Sequence, residues 1–197
     1  DSSKLFGRST IINKEKVIVG DSLYHNSKTG ISEGFGNVIY TDTLNKNSLT
    51  CDHLFYDDNT GYGFATRRAL MKEYSQKDTL YVHADTLKLY TFNINTDSVY
   101  RKVHGYRKVR AYRTDVQAVC DSMVFCSLDS CLTMYNDPIA WSGERQLIGE
   151  VMKVYFNDST VRMAQVIGQA LSVEKVDDDN HYNQLSSRLL DAYFDDG

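Results

Sequence analysis

Carboxylates set at regular intervals are the first residues in this chain that could do chemistry. Asp21, Asp52, Asp85, Asp121 and Glu150 each follow a small residue and stand two places before Leu or Met. Paired carboxylates could cleave a glycosidic bond, one as acid and one as base or nucleophile. Their fixed place in a recurring segment argues against that, because spacing rather than catalysis then accounts for them. The histidines, 25, 53, 83, 104 and 181, occur singly, with no His-Glu-x-x-His and no Cys-x-x-Cys, so zinc would need ligands gathered from several strands. Cys120, Cys126 and Cys131 follow His104, but their spacing fits no common zinc module. Asp177-Asp178-Asp179-Asn180 suggests calcium, yet a loop opening at Asp177 puts Tyr182 where Gly is needed and Arg188 where Glu is needed. The expectation is no catalytic residue, no metal and no cofactor: the chain is not read as an enzyme.

One cluster of charge departs from the acidic whole. Arg101, Lys102, Arg107, Lys108, Arg110 and Arg113 fall close together in a chain of net charge −4. On a strand, Lys108, Arg110 and Tyr112 share one face while Val109 and Ala111 point inward. Lys108 and Arg110 are candidate contacts for headgroup phosphates or carboxylates, since such cations make charge-assisted bonds; the plainer reading is a solvated strand face. The acidic balance and the lack of any recognition module give no reason to expect nucleic acid as a partner.

The elements that must position these residues are strands. The segment small-acid-x-Leu-x-aromatic begins at Gly20, Cys51, Ala84, Cys120 and Gly149, with a weaker copy at Ser187, at spacings of 31, 33, 36, 29 and 38. A near-constant period marks a repeat architecture. One proline, fourteen tyrosines and no long apolar helical stretch give a β composition. Each segment runs into a turn, as in His25 to Gly30, Asp57 to Gly61, Asn93 to Asp97, Ser127 to Ser130 and Asn157 to Thr160. Each repeat is thus expected to be a two-strand hairpin, its returning strand marked by Gly36-Asn37-Val38-Ile39, Gly168-Gln169-Ala170-Leu171 or the variant Asn136-Asp137-Pro138-Ile139. The longer third repeat implies a loop around Asp97 to His104.

Alternation places Leu54 with Tyr56, Leu87 with Leu89, Met123 with Phe125, and Met152 with Val154 and Phe156 on one apolar face. His53, Thr86, Lys88, Ser122 and Lys153 lie on the other, expected to be mostly wet. The acid falls on the apolar parity at what reads as the start of the strand, where it would reach solvent at a rim or cap a turn. Turning the apolar faces together gives two sheets, or one sheet rolled into a trough. Cys51 and Cys120 occupy the small position of the repeat, so steric fit explains them, and a disulfide among the four cysteines stays open. No apolar run of eighteen residues exists, so no transmembrane helix is expected.

Asp21-Ser22-Leu23-Tyr24, Thr29-Gly30 and Gly36-Asn37-Val38-Ile39, echoed by Asp52-His53-Leu54-Phe55-Tyr56 with Thr60-Gly61, resemble the OstA/LptA family of lipopolysaccharide-transport proteins. Asn136 to Trp141 is similar to that family's Asn-Pro variant, and 183–197 resembles the opening of a further unit. Arg67-Arg68-Ala69 departs from the Gly-Asn-Val pattern. The resemblance implies a single domain over 1–197, an elongated β-jellyroll or solenoid-like stack of about five hairpin repeats, cut from a larger protein. It implies a periplasmic carrier, free or associated with the outer membrane, whose apolar groove holds lipopolysaccharide acyl chains. Leu23, Val38, Leu54, Tyr56, Leu87, Leu89, Val109, Met123, Phe125, Met152, Val154 and Phe156 would line it. The implied partners are lipopolysaccharide or a related lipid, and other transport proteins or a second copy joined through end strands. The competing expectation is a structural β-repeat module of an envelope protein with a closed core.

Overall fold

The computed structural model describes residues 2–157, 160–176 and 181–194. All regular structure among them is β: fourteen strands pair antiparallel in one continuous sheet. β1 (Ser2–Asn13), β2 (Lys16–Asn26), β3 (Ile31–Asp42), β4 (Asn47–Asp57), β5 (Tyr62–Glu73), β6 (Leu80–Phe92), β7 (Tyr100–Arg113) and β8 (Val116–Cys126) follow one another as a meander. Then come β9 (Cys131–Tyr135), β10 (Ile139–Ser142), β11 (Arg145–Ile148), β12 (Val151–Asn157), β13 (Thr160–Lys175) and β14 (Tyr182–Tyr193). β8 pairs with both β9 and β10, β13 with both β11 and β12, and the pairs β9–β12 and β10–β11 close a six-strand core. β1 to β7 and β14 lie outside it.

Every long strand is interrupted near its middle, at the same level of the sheet. The ladders skip between Val19 and Ser22, Phe35 and Val38, Thr50 and His53, Thr66 and Ala69, His83 and Thr86, Tyr106 and Val109, and Ile167 and Ala170. In alternate strands the skipped residues are left-handed: Gly36 and Asn37 (φ 72 and 46), Arg67 and Arg68 (61 and 60), Arg107 and Lys108 (61 and 53), Gly168 and Gln169 (73 and 44). Asn136 and Asp137 (62 and 56) hold the same place, and there Pro138 lies in the break between β9 and β10. The line of interruptions forms a crease that divides the sheet into two half-sheets. One is bounded by the turns at 27–30, 58–61, 93–99 and 127–130, the other by those at 14–15, 43–46, 74–79, 114–115 and 143–144.

This geometry explains the recurring segment. Its small residue and its Leu or Met are both buried, one on each side of the crease: Gly20 with Leu23, Cys51 with Leu54, Ala84 with Leu87, Cys120 with Met123, Gly149 with Met152. A spacing of three, instead of two or four, reverses the alternation, so the acid between them faces out. The repeated acid therefore does not lie on the apolar face, as the parity of an unbroken strand suggests, and only Glu150 stands at a strand start, in the break before Val151–Asn157; Asp21, Asp52, Asp85 and Asp121 lie within strands. Those four sit at mid-strand, as Asp21 does within Lys16–Asn26. Small residues are required because the crease leaves little room: a Cβ on Gly20 would stand 2.8 Å from Leu23 Cδ2, and one on Gly149 2.4 Å from Val166 Cγ1.

Two further expectations change. The loop placed at Asp97 to His104 ends earlier, because β7 begins at Tyr100 and His104 lies within it. The outward face of the first half-sheet is not mostly wet but carries packed rings: Phe35 stacks on His53 at 4.4 Å, His53 meets Phe64 at 5.0 Å, and Phe64 stacks on Phe55 at 5.4 Å. Tyr62, Tyr90 and His104 continue the row at 5.2 and 5.0 Å. These rings are offset inside by small residues on the same strands, Gly34, Gly63, Ala65 and Gly105; Leu23 reaches into the space at Gly34, Tyr56 at Gly63 and Met123 at Gly105. The turns expected at His25 to Gly30, Asp57 to Gly61, Asn93 to Asp97 and Ser127 to Ser130 are present; part of the turn at 157–160, the 177–180 acidic run and 195–197 lie outside the described residues.

Candidate functional site: an apolar interior with a charged lip

The inner faces of the two half-sheets share one buried cluster. Val38, Leu54, Leu87, Val109, Met123, Met152 and Val154 belong to it, and Phe156 packs against it. Leu23 is 1% exposed, wedged beside Gly34, while Tyr56, Leu89 and Phe125 are half-buried. All twelve residues expected to line the interior are thus buried or half-buried. Most of their surface is spent on one another: Val38 and Leu23 are 1% exposed, and Ala69 and Ala84 are fully covered. Burial on this scale gives roughly 25 cal/mol per Å² of apolar area and is the main support of a fold without helices or disulfides.

One part of the interior is not filled. A cavity of about 160 Å³ lies between β10 and β11 on one side and β12 and β13 on the other, at the end of the six-strand core. Its apolar wall is Ala140, Leu147, Met152, Val154, Ala164 and Phe194. Of the twelve expected residues, only Met152 and Val154 reach it. A space near 150 Å³ accepts a benzene-sized ligand, so this one holds a few methylenes, not a whole acyl chain.

The lip of the cavity is polar. Arg113, Asp115, Trp141, Ser142 and Arg145 border it. Arg113 donates to Asp115 through Nε at 2.5 Å and Nη2 at 2.7 Å, and Arg145 donates to Glu174 Oε1 at 2.8 Å. The hydrogen bonds from Arg113 hold the Asp115 carboxyl below its ordinary range, and the same bonds raise Arg113. These side chains lie at the far ends of inward-facing rows that begin as apolar residues at the crease. Val109 and Ala111 lead to Arg113, Leu147 to Arg145, Ala170 and Ser172 to Glu174, and Val38 and Tyr40 to Asp42. The interior therefore grades from hydrocarbon at the crease to paired charge at the open margin.

Asp42, at the margin end of β3 and away from the cavity, shows how charge is held under cover at the end of such a row. It is 4% exposed, and burial pushes its carboxyl up. The backbone and side-chain amides of Asn45, at 2.9 and 2.8 Å, together with Lys16, outweigh that and leave it below the ordinary value. Tyr40 donates to it at 3.4 Å and is itself raised by burial and by that carboxylate.

Lys108 and Arg110 are elsewhere. Lys108 is a left-handed residue of the crease and Arg110 faces outward from β7; both are exposed and neither borders the cavity. Sequence reasoning placed Arg113 in the basic stretch but not at the lip, although alternation from Val109 through Ala111 already points it inward. Arg145 and Glu174 had no such signal, because β11 is only Arg145–Ile148 and its pairing partner is set by the break at Gly149. The four thiols are free, with Cys126 and Cys131 directly opposite each other across the β8–β9 turn. Burial pushes the Cys51 and Cys120 thiols up to about 11. A scan against known protein families, a search of curated proteins and a search of solved structures each return no match to the chain.

Proposed function

We propose that this chain is a non-enzymatic, OstA/LptA-like lipid-handling domain of the periplasm, which takes an acyl chain of lipopolysaccharide or a related lipid between its half-sheets. In this reading the creased meander is a β-jellyroll. The observation that carries it is the cavity bounded by Met152, Val154, Ala164 and Phe194 and opening past the Arg113 and Arg145 lip. Hydrocarbon would enter the apolar part at a gain of about 0.8 kcal/mol per methylene buried, and headgroup anions would meet the lip arginines by exchanging with Asp115 and Glu174. The 160 Å³ present admits only the end of a chain, so deeper binding requires the half-sheets to part along their open margins. The crease is the natural hinge, because the ladder is already interrupted there in every long strand.

Trp141, the single tryptophan of the chain, stands at the lip. Its fluorescence tests the proposal directly. Lipid with brominated acyl chains is expected to quench Trp141 in a saturable way, and replacement of Ala164 by Phe, which fills the cavity, is expected to abolish the effect. Quenching that persists unchanged in that variant would refute entry by this route.

A second reading is favoured by a separate observation, the near-complete burial of Leu23, Val38, Ala69, Ala84, Met152 and Val166 against their neighbours. A structural β-repeat module with a closed core would bind protein partners at its ends. Among the described residues β1 pairs only with β2 and β14 only with β13, so within them each has one strand edge open to further pairing with a transport partner or a second copy.

A further inference from the structure

The outer side of the crease carries a second candidate site, independent of the interior. At three alternate-strand corners the left-handed positions are filled by pairs with at least one residue that tolerates that backbone readily, Gly36-Asn37, Asn136-Asp137 and Gly168-Gln169. At two corners they are not. Arg67 (φ 61), Arg68 (60), Arg107 (61) and Lys108 (53) are long side chains held in the same strained conformation. The two corners belong to β5 and β7, which flank β6 on either side. Lys14 and Lys46 take the same backbone in tight turns (φ 53 and 49), but among the described crease corners only these two place cations at both left-handed positions, on the strands flanking β6, and that marks a functional site better than a solvated face does.

Three of these cations line a depression of about 420 Å³ whose wall includes Thr66, Arg67, Arg68, Asp85, Thr86 and Arg107, while Lys108, next in sequence to Arg107, lies outside the wall. Arg68 is anchored by two bonds to Asp52, at 2.9 and 3.1 Å. Among the described residues, Arg67, Arg107 and Lys108 carry no ion pair, and Asp85 is the one carboxylate in the wall. At other corners the acid is taken up by its neighbour strand: Asn37 donates to Asp21, Asn136 to Asp121, Gln169 to Glu150. Here positive charge exceeds negative. Thr66 and Thr86 hydroxyls, 2.7 Å apart, form the floor, and Tyr106 stands at the edge with the Lys88 ammonium 5.4 Å from its ring centre.

We infer that this depression binds a phosphate group, with the Arg67 and Arg107 guanidinium groups closing on it from opposite strands and Lys108 adding charge. Guanidinium matches phosphate through paired N–H donors. The ligand is either the headgroup of an anionic lipid or a soluble phosphate ester, two sources of one chemistry.

Arg67→Gly/Arg107→Gly separates binding from folding, because glycine accepts the left-handed backbone and removes the charge. The matched control is Lys14→Gly/Lys46→Gly, which removes the same charge from left-handed turn residues elsewhere (φ 53 and 49). Isothermal titration with inorganic pyrophosphate is expected to show saturable binding to the parent and control, and at least a tenfold loss in Arg67→Gly/Arg107→Gly at an unchanged or higher melting temperature. Sedimentation with phosphatidylglycerol vesicles but not phosphatidylcholine vesicles would assign the phosphate to a lipid, and pyrophosphate binding without sedimentation would assign it to a soluble ester. No binding by the parent, or an equal loss in both double variants, would overturn the inference.

Discussion

Asn37 donates its side-chain amide to the carboxylate of Asp21 at 2.8 Å, from one strand to the next across the outside of the crease. Arg8 reaches the same carboxylate at 3.1 Å from the strand before. One acid thus ties three consecutive strands where their backbone ladders are interrupted. Glu150 repeats the device with Gln169 at 3.0 Å, and its own backbone N–H donates to the carbonyls of Ile167 and Gly168. At Asp21, Asp52, Asp121 and Glu150 the recurring acid is the fastener of a corner, and the crease it fastens is what turns one sheet into two facing halves.

Removing that fastener has a defined cost. Asp21→Ala is expected to lower unfolding free energy by about 1 kcal/mol, the value of a partly exposed, charge-assisted bond. Asn37→Gly, which keeps the left-handed backbone, should lose less, and the double variant should cost less than the two single losses added. Urea unfolding of the four proteins measures this; strict additivity would mean that the bond contributes nothing.

The small position of the repeat is set by space. Gly149→Ala brings a Cβ to within 2.4 Å of Val166 Cγ1, and Val166 is fully buried. Overpacking of this kind costs about 1–3 kcal/mol. Val166→Ala opens room on the opposing side, so Gly149→Ala/Val166→Ala should be more stable than the sum of the two changes. Thermal melts of the single and double variants distinguish relief of a clash from a general intolerance of substitution.

Stability should fall in alkali through two buried thiols. Cys51 and Cys120 are raised from 9.0 to about 11 by burial, so between those values the unfolded chain loses protons that the folded chain keeps. Their contribution is complete below pH 9 and is lost as pH rises toward 11, at about 1.4 kcal/mol per pH unit for each thiol. Cys51→Ala/Cys120→Ala is expected to flatten the decline between pH 9 and 10.5 in urea titrations. A parent whose stability is level across that window would contradict the assignment of neutral, buried thiols.

Much of this architecture is legible in the sequence, and the part that is not has a physical reason. Leu23, Leu54, Leu87, Met123 and Met152 recur at a fixed place beside small residues, and all are buried as alternation requires. What alternation cannot show is a corner inside a strand. Cys51 and Leu54 are three apart, so a period of two breaks between them, and reading straight through it put Asp52 inside and at a strand end. The left-handed backbone gave a partial sign: Gly36-Asn37 and Gly168-Gln169 look like corners, but Arg67-Arg68 and Arg107-Lys108 do not, because their side chains disfavour the geometry they adopt. The cavity was not legible either. It depends on β11 and β12 being two short strands broken at Gly149, which brings Leu147 and Met152 to one space together with Phe194.

The account rests on hydrocarbon entering between the half-sheets, and one crosslinking experiment tests that. Benzoylphenylalanine placed at Phe194, which borders the cavity, and at Tyr135, which is 38% exposed, exchanges one aromatic side chain for another at each site. Irradiated with lipopolysaccharide, the Phe194 protein is expected to form a covalent adduct that Ala164→Phe suppresses, while the Tyr135 protein forms none. Equal labelling at both sites, or labelling at neither, would contradict an acyl-binding interior and leave the closed structural module as the function of this fold.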